Sequence, residues 1–397
     1  MSLTEKVQAT ALSIGDDLVE VSRRIHSLAE LAFEEFESSK YLASKAEKAF
    51  DKVDFGVADL ETAFVAKRGN GPLHIAICAE YDALPGVGHA CGHNIIAASA
   101  LGASLLLAPL VDELGITLSL MGTPAEEAGG GKIIMMDKGL FEEEDLSMMI
   151  HPAPIEGDRM PCAAASHLEV NFIGKEAHAA AFPQFGINAM DAMTISQVAI
   201  GLLRQSFVPG EMVHGFVTNG GKAPNIIPAH TSANYIVRAN SLKELEALTP
   251  RVRACFEGGA VATGSKLTFE ERFPPYSEFI VDEDLATIYR DMSRIAGRDM
   301  PDSIPQAMRA STDMANVSLR IPSIHPIIGI NSLPAVNHQP EFTAAAITAD
   351  ADRAVIEGAL SMALTCIKVA TDPQLRSTYE GGKRRRELRE SVSKIYG

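Results

Sequence analysis

The sequence predicts an α/β protein with a mostly parallel sheet flanked by helices, into which a smaller α+β domain is inserted. Three observations carry this. Short apolar runs alternate with helical stretches over residues 73–150 and again around 327–369, a β-α-β-β-α-β order interrupts them, and 397 residues are too many for one ordinary core. The expected division is a first domain of residues 1–165 and 276–397, with an inserted domain of residues 166–275.

The first fifty residues have helical periodicity, with Ile25, Leu28, Leu31 and Ala32 on one stripe. The runs 73–78, 116–121, 148–150 and 327–330 predict buried strands, and 95–107 and 354–369 predict helices. Within the insertion, strands are expected at 167–172, 212–218, 231–238 and 266–269, with helices at 188–203 and 242–256. That order is the ferredoxin-like split motif.

Composition excludes some partners. A net charge of -16, from 35 basic and 51 acidic residues, disfavours nucleic acid and anionic membranes as partners. The one dense basic run, residues 383–386 with Arg389, reads as a solvated helix face. Five dispersed cysteines, Cys78, Cys91, Cys162, Cys255 and Cys366, fit a reducing compartment better than a disulfide framework. The first residues lack a basic segment followed by an apolar one, and no apolar run is expected to reach membrane-spanning length, so a soluble, cytoplasmic protein is expected.

Each strand predicted in the first domain is followed by groups able to bind metal or move protons. Glu80 and Asp82 come after the first, Glu126 and Glu127 after the second, His151 after the third and His338 after the last. Loops at the carboxyl ends of parallel strands are where open α/β sheets build their sites. Cys91 and His93 flank a glycine directly before a helix-forming run, where the helix dipole favours the metal-binding thiolate. Adjacent residues in a loop can point in different directions, so Glu127 can hold a metal while Glu126 faces a water between two cations and takes its proton. Cys91, His93, Glu127, His151 and His338 make five ligands for two ions with positions open to water and substrate. Any one of these residues alone is more often structural; their joint occurrence at four strand ends argues for a site. Cys78, Cys162, Cys255 and Cys366 read as buried small hydrophobes.

The segment 80–94 (E-Y-D-A-L-P-G-V-G-H-A-C-G-H-N), P-A-E-E at 124–127, His151-Pro152 and the last histidine, in this order, resemble the amidohydrolase branch of the aminoacylase and carboxypeptidase-G type metallopeptidases. That branch includes indole-acetyl-amino-acid, hippurate and aminobenzoyl-glutamate hydrolases. The resemblance runs from His26 and Glu30 through nearly the whole chain. It implies a zinc-exopeptidase-like catalytic domain with a lid and dimerisation insert, and two divalent ions, zinc or manganese with cobalt or nickel as options. It further implies hydrolysis of N-acyl amino acids or dipeptide-like substrates through a bridging hydroxide. By the same resemblance Cys91 bridges the ions, Glu126 is the general base, and Asp82 orients a ligand histidine. His178, within Gly174-Lys175-Glu176-Ala177-His178, stabilises the oxyanion, often across a homodimer interface. Asn225 and Arg238 hold the substrate's carbonyl or carboxylate. Asn94 replaces the branch's usual aspartate, and Glu80-Tyr81-Asp82 its D-M-D; with Ser311-Thr312-Asp313 these point toward dipeptidase-like members. The competing reading is a catalytically silent binding or scaffold protein of the same fold. A zinc deaminase ranks last, because the Cys-x-x-Cys and His-x-Glu arrangement is missing.

Overall fold

The computed structural model describes residues 2–301 and 309–396. The chain divides into two compact units, Met1–Pro161 with Phe279–Gly397, and Cys162–Glu278. Among the described residues the strands are β1 (Lys52–Phe55), β2 (Phe64–Arg68), β3 (Leu73–Ala79), β4 (Ile116–Gly122), β5 (Leu146–Met148), β6 (His151–Ala153), β7 (Ala164–Ile173), β8 (Met212–Asn219), β9 (His230–Ala239), β10 (Lys266–Glu271), β11 (Ser323–Ile324) and β12 (Ile327–Gly329).

The first unit is built on a sheet of order β1-β2-β4-β3-β5-β11. Strands β4, β3, β5 and β11 are mutually parallel, while β1 and β2 add an antiparallel edge beside β4. All of β4 and the last five residues of β3 are buried, as expected of parallel strands covered on both faces. The apolar pattern predicts one strand over 148–150; instead β5 ends at Met148 and β6 begins at His151. There the chain leaves the main sheet and pairs in parallel with β12. The site's rim is therefore carried by two sheets. Polar β1 and two-residue β11 carry too little apolar pattern to be read from sequence.

The helices Leu3–Leu28, His93–Leu107 and Ala349–Thr371 pack on one another, and His93–Leu107 also lies on β3. The first of them ends at Ala29, whose left-handed φ of 47° breaks the stripe expected to run on through Leu31 and Ala32. Leu31 instead bridges to Ala83, beside the site. A second expectation also needs correction: His93–Leu114 and Ala349–Thr371 are long and apolar enough to cross a membrane. Their apolar windows are 83% and 78% buried inside the fold, where the sheet and other helices cover them. The basic run lies on the helix Lys383–Tyr396 and is more than a solvated face. Arg384 Nε donates to Asp282 Oδ2 at 3.0 Å, and Arg389 Nη1 to Glu142 Oε2 at 3.0 Å, tying the helix to the unit.

The second unit is an antiparallel sheet of order β10-β7-β9-β8 with the helices Ala189–Leu203 and Leu242–Thr263 on one face. Alternate residues of β7 and β9, among them Leu168, Val170, Phe172, Ala233 and Val237, meet Leu248, Val252 and Phe256 in its core. The strand order is that of the split β-α-β motif.

Candidate active site

Three residues beyond the end of β3, Asp82 is fully enclosed and serves two neighbours. Its Oδ1 accepts from His93 Nδ1 at 2.9 Å, and its Oδ2 from the backbone N–H of Glu127 at 2.9 Å. The first bond fixes the His93 ring so that Nε2 is left as the ligating atom. His151 is fixed the same way, since its Nδ1 donates to the Pro152 carbonyl at 2.9 Å. Glu30 and His26, at the start of the motif series, have packing roles. Glu30 accepts from the N–H groups of Glu37 and Ser38 at the start of the Phe36–Ala46 helix, and His26 Nε2 meets the Thr343 carbonyl at 2.9 Å.

Local backbone geometry holds the donors together. Cys91 and His93 face the site from either side of Gly92, whose φ of 78° suits glycine and whose missing side chain leaves room for Pro152. The loop bearing Glu126 and Glu127 starts at Ala125, at φ 58°, whose N–H is held by buried Glu35 at 2.8 Å. It is closed by Gly131, where a Cβ would strike the Pro124 carbonyl. His338 has φ 71° and donates its backbone N–H to the Ala90 carbonyl at 2.8 Å.

The structure thus brings together Cys91, His93, Glu126, Glu127, His151 and His338 around one point. Cys91 Sγ lies 3.5 Å from His151 Nε2 and 3.6 Å from His338 Nε2. His93 Nε2 is 3.7 Å from Glu127 Oε1 and 3.9 Å from Glu126 Oε2, and His338 Nε2 is 3.9 Å from Glu127 Oε2. A sulfur about 2.3 Å and a nitrogen about 2.0–2.1 Å from one zinc, at a tetrahedral angle, stand roughly 3.5 Å apart. Cys91, His93 and His151 form one ligand-spaced group, and Cys91, Glu127 and His338 a second, with the cysteine common to both. Buried His93 Nε2 and Glu127 Oε1 have no hydrogen-bond partner, a costly arrangement that a cation resolves. The residues fit a pair of divalent ions. His338 is the open member, with 60% of its side chain exposed.

The buried ionisable groups perturb one another strongly. Burial, then the Glu80 and Glu127 carboxylates, push Glu126 well above the usual carboxylate range, and burial raises Glu127 too. Burial opposes the His93 cation, but Asp82 overrides it and raises that imidazole well above its ordinary value. Burial lowers His151 to about 4, keeping it neutral and able to ligate. Burial, and after it the Glu127 carboxylate, push the Cys91 thiol well above its usual value, because one helix end cannot offset a desolvated site rich in carboxylates.

Sequence reasoning missed Lys132 and gave His325 and Asn337 no role at the site. Lys132 is wholly buried between Glu80 and Asp313. His325 is enclosed 5.6 Å from the His151 ring, and Asn337 Nδ2 donates to the Pro152 carbonyl at 3.1 Å. Of the cysteines expected to be buried, Cys78 and Cys366 are enclosed, whereas Cys162 and Cys255 are only half-buried.

His178, Asn225 and Arg238 lie in the second unit. His178 and Asn225 are neighbours there, because the Ala179 N–H donates to the Asn225 carbonyl at 3.0 Å. His178 Nδ1 accepts from the N–H groups of Ala180 and Ala181, which leaves Nε2 as the ring's donor. Arg238 stands near the far end of β9, where its Nε donates to His214 Nε2 at 3.2 Å.

A family profile described as Peptidase family M20/M25/M40 matches residues 76–354, which include every residue of the ligand-spaced groups. The chain belongs to this family. It is a metal-dependent hydrolase of the branch that its motifs resemble. A mouse Xaa-Arg dipeptidase is 36% identical, over 89% of this chain and 86% of its own length. A subunit of the p-aminobenzoyl-glutamate hydrolase of Escherichia coli is 31% identical, over 65% of this chain and 59% of its own. Among solved structures, a dinuclear metal-binding M20 peptidase from Bacillus subtilis shares the fold. Its TM-score is 0.67 at 22% identity, covering 90% of this chain and 98% of that one.

Proposed function

We propose that this M20 hydrolase cleaves the amide bond of dipeptides or N-acyl amino acids at a dinuclear centre, with dipeptides ending in arginine the first substrate class to test. The observation that carries the reading is the pair of ligand-spaced groups sharing Cys91, with Glu126 beside them. The likeness to the Xaa-Arg dipeptidase supports the substrate class.

When bound, two divalent cations supply Lewis-acid polarisation of the scissile carbonyl and ionise a water near neutral pH. Cys91 would be the donor common to both positions, with His93 and His151 holding one ion and Glu127 and His338 the other. Asp82 keeps Nε2 of His93 available. Glu126, whose proton affinity burial has raised, takes a proton from the attacking water and delivers it to the departing nitrogen. His178 offers an N–H donor to the developing oxyanion, Asn225 an amide to the substrate carbonyl, and Arg238 a planar guanidinium to a carboxylate.

Thiolate and imidazole donors favour zinc, and the carboxylates keep manganese, cobalt and nickel open. Free cysteines among the described residues support a reducing, cytoplasmic setting. The second unit would serve as lid and as the interface of a homodimer. Edge strand β8 and the exposed Ile195, Val198 and Leu202 on one helix support that arrangement.

The test is amine release from Xaa-Arg dipeptides, other dipeptides and N-acyl amino acids, with metal-stripped protein and added zinc or manganese. Metal-restored release is expected. Glu126→Gln should bind both ions yet turn over about 10³-fold more slowly. Silence across the panel, or full turnover by that variant, would overturn the reading.

A further inference from the structure

Glu80 follows β3 directly and its side chain is wholly buried. Its Oε1 accepts from Lys132 Nζ. Lys132 is itself held at both ends by Asp313: its Nζ donates to Oδ1 at 2.7 Å and its backbone N–H to Oδ2 at 2.9 Å. That leaves Glu80 Oε2, which has no hydrogen-bond partner and lies 3.4 Å from His93 Nε2, an atom equally without one. Two oxygen or nitrogen donors, each about 2.0–2.1 Å from one ion at a tetrahedral angle, stand roughly 3.4 Å apart. Donor atoms of Glu80, His93 and Glu126 all lie within 4.8 Å of one another, and His93 is also in the group with Cys91 and His151.

Resting on the dinuclear reading above, we propose that Glu80 is a further ligand of the ion shared by Cys91, His93 and His151, and that Lys132 and Asp313 are its positioning residues. Charge balance is consistent with this. Lys132 and Asp313 alone would be a neutral pair; Glu80 adds a carboxylate whose second oxygen meets the His93 ring, so its charge is balanced either by an imidazolium there or, once His93 Nε2 is deprotonated to ligate, by a bound cation. Only Oε1 of Glu80 is used in a hydrogen bond, and the free oxygen faces the one ring nitrogen that Asp82 has left open. The extra hard donor makes this position richer in oxygen than the cysteine-histidine set suggests, moving its preference from zinc toward manganese.

The experiment uses the full chain with cobalt(II) and manganese(II) as probes, counting bound ions and their affinities by equilibrium dialysis and recording the cobalt visible absorption. Wild type is expected to bind two ions. Glu80→Gln, which can still accept from Lys132, should keep one of them unchanged and bind the other at least about tenfold more weakly. Its cobalt band should also gain intensity as coordination number falls, a change that a purely packing role would not produce. Should that variant fail to fold by circular dichroism, Glu80→Asp takes its place, keeping the charge but drawing the oxygen back by one methylene, with the same loss expected. Two ions at wild-type affinity and an unchanged cobalt spectrum in a folded variant would overturn the assignment of Glu80 alone. A wild type that binds no pair of ions would overturn the dinuclear reading and this one with it.

Discussion

Glu144 is a buried carboxylate remote from any ligand-spaced group. Its Oε1 accepts from Ser119 Oγ at 2.7 Å and its Oε2 has no partner, so burial pushes it up to about 7. Raised above the unfolded value, it contributes stability that is complete below about pH 4.5 and is lost as pH rises through 7. Glu144→Gln should therefore gain stability over wild type at pH 8, on the order of 3 kcal/mol, and gain little at about pH 4.5. Denaturant melts at the two pH values check this; equal differences at both would refute it. The residues of the ligand-spaced groups were legible because they stand in short motifs, Cys91 and His93 at the start of a helix and the others in segments after strands. Lys132 was not, since a lysine among Gly131, Ile133 and Ile134 gives no hint of partners 52 and 181 positions away. Nor does sequence report how fully the Cys91 thiol is desolvated.

Helices and buried strands were legible where apolar runs were long, as in β3, β4 and the two helices of the second unit. Where one residue redirects the chain, periodicity gave no warning. Ala29 ends the first helix early, and the break after Met148 sends β6 to β12. Gly92 is the sharpest such point, because the turn into the His93–Leu107 helix has φ 78° and a Cβ there would lie 2.4 Å from Pro152 Cγ. Gly92→Ala is expected to cost at least about 2 kcal/mol and to displace Cys91 relative to His93. Thermal melting combined with cobalt binding reads both effects; a variant with native stability and two tightly bound ions would show that the turn tolerates a side chain.

For the molecule as a whole, the negative charge and the split motif were evident from composition and order. The proposed assembly rests on surface. Leu202 is 73% and Val198 59% exposed, and Ile195 completes their stripe on the helix Ala189–Leu203. If a second copy covers that stripe, light scattering should give twice the chain mass for wild type and one chain mass for Leu202→Glu. A monomeric wild type would remove the dimer and any role for His178 across it.

The order of the donors along the chain has a consequence for biogenesis. Cys91, His93, Glu127 and His151 all precede the second unit, whereas His338 follows it, 247 positions after the cysteine it faces. On the proposed assignment, a nascent chain that has emerged only through the second unit would hold every donor except His338, the most solvent-open one. Ions captured then would sit in an unfinished cage, so on this assignment full metallation is expected only after the whole chain has emerged, and a chain terminated before His338 is expected to lose part of its metal complement.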